Sequence, residues 1–115
     1  MDTVNSFLNM KRIAKRGFEE SGVLECSGEF ERGFKSGLKQ AFVSFLLLSE
    51  ECSALNILAF VKERYELEKR ACNLKNTFIN GYACGSACAY MYLITNEETP
   101  TAEELNKLMN DKKMW

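Results

Sequence analysis

Histidine is absent from this chain, and proline occurs once, at Pro100. Without imidazole the chain lacks the commonest general base, zinc ligand and triad partner, which removes many hydrolytic and zinc-dependent mechanisms. Aspartate is scarce too. Only Asp2 and Asp111 are present, both near the chain ends, and the glutamates fall mainly in helical charge runs rather than in apolar settings that raise a carboxyl pKa. No Gly-x-x-x-x-Gly-Lys-Ser/Thr or Gly-x-Ser-x-Gly motif occurs, and Gly81 with Gly85 alone does not make a phosphate loop. Neither an enzyme nor a cofactor is expected.

Other shortages narrow the fold. Asn80-Gly81 is the one Asn-Gly or Asp-Gly pair, so hairpin chemistry is nearly missing and an all-β domain is disfavoured. Fifteen basic side chains face sixteen acidic ones for a net charge of −1, which gives no global pull toward nucleic acid or an anionic membrane. The stretch nearest to a membrane span, the uncharged residues 78–95, is diluted by Asn, Ser, Thr, Gly and three Tyr, so a span is not expected.

What remains is an ordinary globular composition, 46% hydrophobic and 27% charged, in 115 residues that suit one domain. The uncharged stretch organises the reading. At 3.6 residues per turn Gly81, Cys84, Gly85, Cys88 and Ala89 form a stripe with almost no side-chain height. Each interior glycine costs a helix roughly 1 kcal/mol relative to alanine, so two on one face imply a packing partner that needs the space. Residues 29–48 repeat the design: Gly33, Gly37 and Ala41 match Gly81, Gly85 and Ala89 as Gly-x-x-x-Gly-x-x-x-Ala, beside a ridge of Phe30, Phe34, Leu38, Phe42 and Phe45. The two stripes are expected either to face each other or to mediate self-association across a twofold axis.

The remaining elements follow from caps and breaks. A basic helix is expected over 3–17 and a glycine-rich connection over 17–28, marked by Gly17, Gly22 and Gly28. Ser49, followed by Glu50 and Glu51, reads as the N-cap of a helix over 50–73 that turns Ala54, Leu55, Leu58, Val61 and Tyr65 inward. In residues 62–70, seven of nine are charged, and this run reads as a solvated face. Asn73, Asn76 and Asn80 around Thr77 predict a turn, after which the 78–95 helix runs antiparallel to its predecessor. Thr101-Ala-Glu-Glu reads as a capping box that opens a short helix over 101–113. The expected fold is therefore an all-α bundle of four to five helices.

Three groups are candidate sites. Five cysteines without a secretory signal read as reduced intracellular, cytoplasmic thiols, although Cys72, Cys84 and Cys88 are three soft ligands that a metal or a redox function would use, and a disulfide between Cys84 and a neighbour is the further alternative. Lys11, Arg12, Lys15 and Arg16 form a basic patch, enough for weak phosphate contacts but not for specific readout. Trp115 is an aromatic anchor of the kind that partner pockets take. The function these features favour is a small non-enzymatic protein-binding module: an adaptor, an assembly subunit, or an inhibitor such as a virus or phage directs at a host factor. The rivals are a thiol-based metal or redox protein and a membrane-associated helix pair.

Overall fold

The helix with no charged residue sits at the centre. In a computed structural model that describes residues 3–73 and 75–111, five helices follow in order: α1 (Thr3–Ser21), α2 (Glu29–Leu48), α3 (Ala54–Ala71), α4 (Phe78–Thr95) and α5 (Ala102–Asn110). Every residue from Ala83 to Tyr90 on α4 is buried, as are Gly81 and Leu93. A helix apolar on all sides can only be stable with neighbours all round it, and here those neighbours are chiefly α2 and α3. The fold is an all-α bundle, with no strand among the described residues.

The two small-residue stripes meet inside the chain. A Cβ placed on Gly33 or Gly37 would come within 2.0 or 2.2 Å of the Phe78 or Tyr82 carbonyl oxygen, and one on Gly81 or Gly85 within 1.9 or 2.1 Å of that of Phe30 or Phe34. Main chain therefore lies where side chain would be. Both numberings rise together across the contact, so α2 and α4 run parallel. Ala41 and Ala89 are buried at the ends of their stripes. With both faces filled by each other, neither stripe is open for pairing between two copies, which corrects the self-association alternative.

The other helices wrap this pair. The Phe60 ring meets Tyr90 edge to face at 6.3 Å, and Cys72 lies beside Cys84, so α3 runs antiparallel to α4. Helix α1 crosses α2 in the opposite sense, with Phe7 near Phe45 and Phe18 near Lys39. Asn96, left-handed at φ 54°, ends α4 and accepts from the Asn9 amide at 2.7 Å through its own side chain, which also donates to the Ser6 hydroxyl at 2.7 Å. The last helix starts at Thr101, whose hydroxyl accepts from the Glu104 amide at 3.2 Å. Leu105 and Met109 join the core that Phe34, Leu38, Phe42 and Phe45 dominate.

Several expected boundaries need correction. Helix α1 runs on through Gly17 to Ser21, because the missing side chain at Gly17 leaves room for the Phe42 ring, which a Cβ would meet at 2.5 Å. The break comes at Gly22. Ser49 closes α2 instead of opening α3, its hydroxyl donating to the Leu46 carbonyl at 2.7 Å, and Ser53 is the N-cap, accepting from the Asn56 amide at 3.3 Å. Of the residues expected to turn inward, Val61 is buried and Leu58 and Tyr65 pack in part on the core, but Leu55 stands 71% exposed and Ile57 is buried instead. Residues 112–113, part of the expected last helix, lie outside the described residues.

Candidate functional site

Close packing of α2 on α4 leaves a groove beside the seam, because a low floor is flanked by tall side chains. Ala41 and Ser86 make the floor, the Ser86 hydroxyl donating to the Gly37 carbonyl at 3.4 Å. Phe60, Arg64 and Glu68 of α3 form one wall, and Tyr82 and Tyr90 of α4 line the cleft with Gln40 and Ser44 of α2, enclosing about 310 Å³. Across Gln40 and Tyr82 a second cleft continues over Phe18, Ser36, Lys39 and Val43, where the Lys39 ammonium lies 5.5 Å from the centre of the Phe18 ring.

The electrostatics keep this groove neutral and polar. Arg64 is ion-paired with Glu68 one turn along α3, and its positive charge also acts on the Tyr90 phenol. Burial pushes the Tyr90 hydroxyl above its ordinary pKa, while Arg64 pulls the other way. Tyr82 shifts upward too, through burial first and then the Glu68 charge. Both phenols therefore stay protonated well past neutral pH and can donate as well as accept hydrogen bonds.

The sequence candidates lie elsewhere or are already engaged. Cys72 and Cys84 form a disulfide with their Cα atoms 4.9 Å apart, which corrects the expectation of five reduced thiols and takes two of the three sulfurs out of any ligand set. Cys88 is a free thiol with no exposure, its pKa raised by burial alone. Among the described residues no three His, Cys, Asp or Glu side chains are grouped to hold a metal ion. On α1, Lys11 lies 5.0 Å from the centre of the Phe7 ring, Arg12 donates to the Asn9 side chain at 2.7 Å, and Arg16 pairs with Glu19 and Glu20 at 3.9 and 3.6 Å. Lys15 is exposed. The patch is thus partly neutralised by the acids that follow it. Trp115 lies outside the described residues.

Sequence reasoning passed over the groove residues. Arg64 and Glu68 sit in the charge run read as solvated, yet both are half-buried. Their one available signal was the i,i+4 spacing on the side of α3 that also carries Phe60. A wide depression of about 740 Å³ over α5 is lined by Tyr92, Glu104, Asn106, Lys107, Leu108, Asn110 and Asp111. No helix among the described residues is long and apolar enough to cross a membrane. Comparison with protein-family models, curated proteins and solved structures returned no match for this chain.

Proposed function

We propose that the chain is a small non-enzymatic protein-binding module, an adaptor, inhibitor or assembly subunit, that takes its partner in the groove between α2, α3 and α4. One observation carries this reading: two tyrosines, a phenylalanine and an arginine surround an open cleft with a small-residue floor. Tyrosine, arginine and other aromatics are the side chains enriched where proteins bury contact surface, since each offers a large rigid area together with directed hydrogen bonds. Tyr82 and Tyr90 stand on the central helix α4, which is buried along most of its length, so little ordering of that face is needed when a partner arrives.

The test has two stages. Proteins captured by the immobilised chain are identified, and each is then purified and titrated against the wild type and against Tyr82→Ala and Arg64→Ala, with helix content checked by circular dichroism. A central aromatic or arginine contributes about 2 kcal/mol or more, so affinity is expected to fall by roughly thirtyfold in each folded variant. A partner that binds both folded variants as tightly as the wild type overturns the groove as its docking site.

A further inference from the structure

The second half of α3 is weakly held. Its two buried residues, Ile57 and Val61, both lie in the first half, and no residue of 62–71 is buried. This half nonetheless supplies Arg64 and Glu68 to the groove wall. Tyr65 packs in part on the core, the Arg64 charge acts on Tyr90, and beyond them the helix ends at Cys72, bonded to Cys84 of the central helix. The crosslink stands one helical turn past Glu68 on α3 and two residues past Tyr82 on α4. It fastens the weakly packed wall of the groove to the rigid floor.

We infer that the Cys72–Cys84 disulfide is a redox latch on the groove, its reduction freeing the C-terminal half of α3 and so reshaping the wall that Arg64 and Glu68 form. As a form of control over partner binding, this rests on the groove being the docking site. The reductant is a dithiol. Cys72 is half-buried and Cys84 fully buried, so the attacking thiolate reaches the Cys72 sulfur. The bond to Cys84 breaks, the Cys84 sulfur leaves as thiolate and takes up a proton, and a mixed disulfide joins Cys72 to the reductant. The reductant's second thiol then displaces Cys72, which is protonated in turn. Two electrons and two protons pass to the protein, and the dithiol becomes a disulfide. The Cys84 sulfur lies 3.6 Å from the Asn73 carbonyl, so its new thiol has an acceptor at hand. The core stays closed meanwhile, because α2 and α4 hold each other through the glycine stripes and not through the crosslink.

Hydrogen–deuterium exchange read by mass spectrometry tests the latch on the whole chain, oxidised and after dithiothreitol. Alkylation in denaturant is expected to find three thiols before reduction, Cys26, Cys52 and Cys88, and all five afterwards. Reduction is expected to speed exchange in 62–71 by about tenfold or more while 81–90 remains protected. The double variant Cys72→Ser with Cys84→Ser should show the fast pattern with or without reductant. Unchanged exchange on reduction overturns the latch, as does simultaneous loss of protection in every helix, or five thiols in the oxidised protein. For a partner found to depend on Tyr82, affinity should change by about fivefold or more on reduction, and an unchanged affinity removes the control of binding. The exchange measurement needs no partner, so the latch can fail while the groove stands; a partner indifferent to Tyr82→Ala removes the groove while leaving the latch.

Discussion

Gly85 shows how one missing side chain sets the position of two helices. Its hydrogen faces the Phe34 carbonyl, and a methyl group there would sit 2.1 Å from that oxygen, deep inside van der Waals contact. Main chain cannot swing aside as a side-chain tip can, so the helices must separate and the packed core between them must open. Gly85→Ala is expected to lose about 3 kcal/mol or more of unfolding free energy in urea, and Gly85→Leu more than that. Gly28→Ala is the contrast. A Cβ there meets only the Asn76 side chain at 3.9 Å, and the residue caps α2 in an extended conformation. Its cost is expected to stay within about 1 kcal/mol. Equal losses at the two sites would mean that close approach of main chains is not what the stripe supplies.

At the scale of elements, helices with a strong internal pattern were legible from sequence, and ends that depend on neighbours were not. The ranges expected for α2 and α4 match those observed, because uninterrupted periodic faces run to a capping residue or a turn at each end. Helix α1 was cut short, since a glycine reads as a break unless the ring that needs its space is known. Both Ser49 and Ser53 suit an N-cap, and only the path of the five-residue connection between the helices decides which of them serves. The groove was harder still. Arg64, Tyr82 and Tyr90 gain their meaning from the approach of three helices, which no single-helix period reports. Asn96 is the reverse case, a residue whose type suits its left-handed conformation but whose reach to α1 emerges only in the fold. Asn96→Gly keeps the conformation and removes the side-chain links to Ser6 and Asn9, leaving the Asn9 amide its 3.1 Å bond to the main-chain carbonyl of residue 96, so about 1 kcal/mol should be lost. Asn96→Ala gives up the left-handed preference as well and should lose about 2 kcal/mol. Identical denaturation midpoints for the two variants would show that the tie between helices carries the whole effect.

Several weakly acidic groups are hidden within the fold, and they shape how the stability of the whole molecule responds to alkali. Cys88 is buried among apolar neighbours, Tyr92 is held protonated by burial and by the charges around it, Tyr90 is raised by burial, and Cys26 shifts upward for the same reason. Each of these groups is neutral when protonated, so a raised folded pKa means that the native state keeps a proton the unfolded chain releases. The unfolded thiols release theirs from 9.0 upward and the phenols from 10.0. Through that window the unfolded state binds fewer protons, and unfolding free energy must fall as pH rises. The stability these groups contribute is complete below pH 9.0 and lost progressively above it. One fully buried thiol alone gives a slope of about 1.4 kcal/mol per pH unit. Urea denaturation of the oxidised protein from about pH 8 to about pH 10.5 is therefore expected to show a steepening loss. Cys88→Ala should start lower, because it leaves a small cavity, and then fall less steeply between about pH 9 and about pH 10. Parallel curves for the two proteins would show that the Cys88 proton is not held by the fold.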